Sequence, residues 1–153
     1  MSTTTLEQRI DYTKVAPELF RRMLNLQQYT SEAGLDFKLV ELLKIRVSQL
    51  NGCAYCLDMH THETRSKGET EQRIYCLAAW REAPLYSDAE RVALELAETL
   101  TLLPSSHVSD ELFARLRQHW DDKGICDLVG AIIMINSWNR LAVSMRSLPP
   151  IRG

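Results

Sequence analysis

Apolar side chains recur along this chain at the three-and-four spacing of helices and almost nowhere with the two-residue alternation of strands. Leu19, Met23, Leu26 and Ala33 share one face of a segment that Pro17 opens and Gly34 stops. Asp36 is placed to cap a second helix carrying Val40, Leu43, Val47 and Leu50. A third helix runs from about Cys53 to Gly68, and a fourth, capped by Thr70, extends through Trp80 and ends before Pro84. The stretch SDAE, Ser87 to Glu90, is a capping box for a helix with Val92, Leu96 and Leu100 on one side, closed by Pro104. Ser109 caps a helix over DELFARLRQHW, and Gly124 breaks it. The last helix covers CDLVGAIIMINSWNRLAVSM, and Pro149 and Pro150 follow it.

This pattern predicts an all-α fold of about six to seven helices. The joints are a few residues long, with no internal repeat or linker-like tract, so residues 1–153 are expected to form one domain. The last helix is apolar nearly all round, which places it at the centre or at a subunit contact. Asn136, Asn139 and Arg140 interrupt it. They are expected to hold helices together by hydrogen bonding, the usual fate of buried polar groups, in preference to contacting substrate.

Composition narrows the function classes. With 153 residues, 45% apolar and 25% charged, the chain has the size and balance of one globular domain. A formal charge of −2 gives no electrostatic reason to expect nucleic acid or an anionic membrane as partner. The opening MSTTTLEQRI lacks a basic region followed by an apolar stretch, and the longest apolar run, LVGAIIMI, is far short of a bilayer span. A cytoplasmic location is the resulting expectation. Thiols there stay mostly reduced unless they are catalytic or sensing, and a staple closing so short a loop constrains the unfolded chain little.

The candidate chemistry lies in NGCAYCLDMH, residues 51–60. At roughly 100° per residue, Cys53, Cys56 and His60 fall within a sector of about 60° on one helix. His62 points the opposite way. A free thiol is only about 3% ionised at neutral pH, and the thiolate is the nucleophile. The unpaired N–H groups of a helix start and the nearby imidazole both favour the thiolate, and the second cysteine can resolve whatever the first one forms. Glu63, one turn beyond His60, reads as a solvated surface charge. Cys76 and Cys126 stand alone in apolar stretches and read as small buried hydrophobes. A zinc site on Cys53, Cys56 and His60 would lack the fourth ligand and second pair that structural zinc uses. Two idle thiols beside an unrelated histidine are the remaining alternative. Thioredoxin-type chemistry needs a βαβ context, which is missing here.

The stretch ELLKIRVSQLNGCAYCLDMHTHE resembles the core of the alkylhydroperoxidase D (AhpD)-like group of the carboxymuconolactone decarboxylase family, with its motif over 39–68. The likeness continues through GETEQRIYCLAAWREAPLYSDAERVALELAETLT and NSWNRLAV. It implies an AhpD-like helical fold assembled as a homotrimer or homohexamer, with thiol-dependent peroxidase activity. It further implies Cys56 as peroxidatic, Cys53 as resolving, and His60 with Glu41 as a proton relay; spacing alone does not single out Glu41. The expected partners are a hydroperoxide substrate and an external dithiol, a lipoyl-bearing protein in some relatives. No metal or organic cofactor is required. The best-studied branch has a second histidine just before the peroxidatic cysteine, where this chain has Tyr55. Tyr55 can donate a hydrogen bond but does not shuttle protons near neutral pH as histidine does. The family also holds decarboxylases that use no cysteine pair, and a redox-sensing or zinc-binding module is the non-catalytic alternative.

Overall fold

The computed structural model describes residues 5–152; the first four residues of the opening stretch discussed above lie outside it. Among the described residues there is no strand. Eight α-helices occur: α1 (Tyr12–Val15), α2 (Pro17–Glu32), α3 (Phe37–Asn51), α4 (Ala54–Ser66), α5 (Glu71–Tyr75), α6 (Asp88–Thr101), α7 (Asp110–Leu116) and α8 (Asp122–Met145). The all-α expectation holds, with α1 added to the helices read from the pattern.

Local chemistry explains most boundaries. The Asp36 side chain accepts from Leu39 N at 2.8 Å and opens α3. Ser87 and Glu90 form the expected reciprocal capping box at the start of α6. Ser109 and Thr70 cap α7 and α5 through their hydroxyls alone, accepting from Leu112 N and Arg73 N. Gly124 does not separate two helices as expected: α8 begins at Asp122, and the Gly124 N–H donates to the Asp121 cap at 2.7 Å. The helix expected through Trp80 ends at Tyr75 and gives way to a 3₁₀ turn over Leu77–Ala79.

The core forms where α3, α6 and α8 meet. Leu42, Leu43, Ile45, Leu94, Leu96, Leu128, Ile132 and Ile135 are all essentially inaccessible. Each such side chain contributes about 2 kcal/mol through burial. Helix α8 has the length and apolarity of a membrane-crossing segment. Its buried face, from Ile125 to Ala142, is nonetheless a protein core, and Asp127 on it is paired with Tyr29 (3.0 Å) and Lys123 (2.6 Å).

One apolar face stays uncovered, and one burial expectation, that for Cys76 and Cys126, fails. The face of α2 formed by Leu19, Met23, Leu26 and Ala33 is not core: Leu19 is 49% and Leu26 42% exposed, and Thr30 is the buried residue of that helix. Helical period marks a face but does not supply a neighbour to cover it, and α2 packs against α8 and α1 along a different edge. Cys126 is exposed and Cys76 half-buried, because each lies beside, not on, the inward stripe set by Ile125 and Leu128 or by Ile74 and Leu77.

Candidate active site

A left-handed glycine sets the site. Gly52, at φ 66°, ends α3, and the chain turns directly into α4 with Cys53 as its N-cap. Cys53 N donates back to Ser48 O at 3.0 Å, which ties the turn to α3. Asn51 Nδ2 donates to the Oδ1 atoms of Asn136 and Asn139, each at 3.0 Å, and Asn139 Nδ2 donates to Ser48 Oγ at 3.0 Å. Arg140 donates to Asn136 Oδ1 at 2.8 Å. Asn136 and Asn139 therefore lock the turn onto α8, as expected of helix-holding polar groups, whereas Arg140 is exposed and bonds only Asn136 within α8 itself.

Cys53 and Cys56 are joined as a disulfide, with Cα atoms 5.3 Å apart. Cys56 N donates to Cys53 Sγ at 3.3 Å, so the helix start contributes an N–H to the first sulfur. Ala142 of α8 and Tyr55 pack against the pair. The bond engages both sulfurs that the zinc alternative would need as ligands.

His60 lies one turn after Cys56 and is buried. Its Nδ1 is 3.0 Å from Oε2 of Glu41, and Lys44 Nζ donates to Glu41 Oε1 at 2.7 Å. Burial raises the pKa of the Glu41 carboxyl, but the hydrogen bond from His60 and the nearby Lys44 ammonium outweigh it, holding the group below its ordinary range. Glu41 is therefore a carboxylate at neutral pH and an acceptor only, which assigns the imidazole proton to Nδ1. In the neutral imidazole Nε2 then carries the lone pair and can take a proton from a group one helical turn away.

A cavity of about 470 Å³ opens onto these groups. Cys56, His60 and Glu41 line it together, and Cys53 does not. The cavity thus separates the two sulfurs by access. Its other walls are largely apolar: Phe20 and Leu24 from α2, Phe37 and Val40 from α3, Met59 from α4 and Trp138 from α8. Tyr12 packs against Phe20 at a tilt of 58°, and Phe20 meets Trp138 edge-on, with centroids 5.9 Å apart in both pairs. Tyr55 also lines the cavity, at the position that carries histidine in the best-studied relatives.

The structure thus brings Glu41, Cys53, Cys56, His60 and Tyr55 into one locality, and leaves His62 exposed and Cys76 and Cys126 elsewhere. Glu63 differs from a plain surface charge: it lines the cavity, and one of its oxygens falls within 4.8 Å of donor atoms on both Glu41 and His60. That donor set has the size of a divalent-ion site, but Lys44 and Lys67 already occupy the two carboxylates. Sequence reasoning missed Lys44, although its three-residue spacing from Glu41 on a helix was a usable signal. It also missed Tyr12, Phe20 and Trp138, whose convergence depends on tertiary packing that periodicity does not encode.

A family model described as the carboxymuconolactone decarboxylase family matches residues 17–99. The uncharacterized protein YdfG of Bacillus subtilis is 51% identical over 140 residues, covering 92% of this chain and 95% of that protein. A crystal structure from Agrobacterium tumefaciens, of a protein of unknown function suggested to be the antioxidant defence protein AhpD, superposes with a TM-score of 0.92 at 39% identity, covering 95% of this chain and all of that one. The debrominase Bmp8 superposes with a TM-score of 0.78 at 20% identity, covering 88% of this chain and 72% of that one, which is a likeness of fold alone.

Proposed function

The chain belongs to the carboxymuconolactone decarboxylase family, in its AhpD-like branch, and on that premise we propose that it is a dithiol-dependent hydroperoxide reductase. The observation that carries this reading is the shared cavity: Cys56 lines a largely apolar chamber together with an imidazole whose Nδ1 is held by a buried carboxylate. A decarboxylase has no need of a sulfur pair there.

In the reduced enzyme His60 Nε2 takes the Cys56 proton, and Glu41 stabilises the resulting imidazolium. The thiolate attacks the terminal oxygen of the hydroperoxide, the O–O bond breaks, and the departing alkoxide receives the proton from His60. Cys56 is then a sulfenic acid. The Cys53 sulfur attacks it, the S–S bond forms and water leaves. An external dithiol reduces the disulfide by attacking Cys56, the cysteine that lines the cavity. Cys53 is suited to leave as thiolate, because the Cys56 N–H points at it, and a stabilised thiolate leaves faster. A reducing compartment such as the cytoplasm supplies that dithiol. The exposed apolar side chains of Leu19, Leu26, Ile133 and Val143 suit the subunit contacts of a trimer or hexamer.

The test is consumption of cumene hydroperoxide by pre-reduced protein with dithiothreitol present. Cys56→Ser is expected to abolish turnover while keeping the thermal midpoint of the reduced wild type. Equal consumption by the variant and wild type would reject the reading.

A further inference from the structure

We propose that Glu63 is the solvent end of the proton relay, carrying protons between bulk water and the Glu41–His60 pair while the disulfide is reduced. The inference deepens the thiol reading above and rests on it for its biological purpose.

The three groups form a graded path. One donor atom from each of Glu41, His60 and Glu63 lies within 4.8 Å of the other two. A single water spans such a gap with two ordinary hydrogen bonds. Access to solvent differs sharply along the path: the side chain of Glu41 is 1% exposed, that of His60 9% and that of Glu63 43%. The remaining oxygen of Glu41 is taken by Lys44, whose ammonium has donors and no acceptor. The other acidic group at the pair, Glu63, does reach water. It is also held in place: Lys67 bonds it at 3.2 Å and itself rests over the Phe37 ring, 4.2 Å from the centroid.

The reductive half-reaction needs such a path. A dithiol attacks as its thiolate, having lost one proton to solvent. Its sulfur bonds to Cys56, the Cys53–Cys56 bond breaks, and Cys53 leaves as thiolate. The second thiol of the reductant then closes its own disulfide and expels the Cys56 thiolate. Two protons must be rebound, one on Cys53 and one on His60 beside Cys56. The reductant's second thiol supplies one, and solvent returns the other. Of the three acid–base groups on the cavity wall Glu63 is the most exposed to bulk water, at 43% against 9% for His60 and 1% for Glu41, so the proton enters through Glu63 while reductant fills the cavity.

The experiment follows reduction of the isolated disulfide form by dithiothreitol, by rapid quenching and thiol counting, in wild type, Glu63→Gln and Glu63→Asp. In weak buffer Glu63→Gln is expected to be slowed roughly tenfold, below the full effect of a positioned acid or base because water partly bypasses it. Added imidazole or formate should restore the rate, and Glu63→Asp should stay near wild type. An unchanged rate in Glu63→Gln overturns the proposal. So does a loss that small buffers do not restore, which marks a purely structural role. Hydroperoxide consumption by pre-reduced wild type, run alongside, reads the parent proposal separately: its failure would remove the peroxidase and leave the disulfide-reduction result standing.

Discussion

Two carboxylates are held in ion clusters inside this protein, and they are built for different ends. Glu98 on α6 accepts from Arg46 Nε at 2.7 Å, from Trp80 Nε1 at 2.8 Å and from Arg81. Glu41 on α3 accepts from Lys44 and faces His60. In both, burial raises the pKa and the donors more than offset it, so both lie below the ordinary carboxylate range. A depressed, buried carboxylate is thus no marker of function by itself. The partners make the difference. Guanidinium and indole N–H groups do not release protons near neutral pH, whereas an imidazole does. Glu98 fastens α3, α6 and the Trp80 turn; Glu41 holds an imidazole that lines a cavity together with Cys56.

The largest effect should come from breaking the first cluster. Glu98→Ala leaves Arg46, with its side chain 14% exposed, and the Trp80 indole without their acceptor. It is expected to cost about 3 kcal/mol of unfolding free energy in urea titration, the usual penalty for leaving one member of a buried pair alone. The fraction still folded should keep its activity. Glu41→Gln should do the reverse, lowering hydroperoxide turnover about a hundredfold through loss of imidazole support. Its stability should change less, because Lys44, 18% exposed, can turn to water. If Glu98→Ala silences a folded enzyme, or Glu41→Gln unfolds it, the distinction between the clusters is wrong.

Acid tests what the two clusters share. A carboxyl whose folded pKa is depressed contributes stability above its unfolded pKa, and that contribution disappears as pH falls through the folded value. With Glu41 and Glu98 both depressed, unfolding free energy should be level at neutral pH and fall below about pH 4. Glu98→Gln and Glu41→Gln should each remove part of that acid slope. A slope unaltered by either substitution would mean that other carboxylates, such as Asp127 with its Lys123 and Tyr29 contacts, dominate.

The sequence carried these two clusters to very different extents. Caps at Asp36, Ser87 and Ser109 were legible because each involves residues three apart, and helix type followed from local period. The cysteine pair and His60 were legible for the same reason, being one turn apart on α4. Glu41 was not: it reaches His60 only because Gly52 folds α3 back along α4, and it was found through resemblance to a family. Glu98 was invisible. Its donors lie 52 and 18 residues away in the chain, at Arg46 and Trp80, and no pattern on α6 announces them. The α2 face is the opposite case, since Leu19 and Leu26 have the right period and no neighbour in the chain to bury them.

The smallest predicted effect concerns what Glu41 has and Glu98 lacks, an apolar chamber. Phe20 is the wall residue to test, because it bridges Tyr12 and Trp138 and belongs to α2, a helix that adds little to the core. Phe20→Ala should therefore leave the fold intact and open the chamber on the side facing Cys56. For a bulky aromatic substrate such as cumene hydroperoxide the lost contacts amount to about 1 kcal/mol, a several-fold rise in KM with a smaller change in kcat. Hydrogen peroxide has no apolar surface to bury, so its kinetics should move less. Equal loss for the two peroxides would place Phe20 in support of the Cys56 and His60 geometry, and the chamber would then be a by-product of packing with no part in choosing substrate.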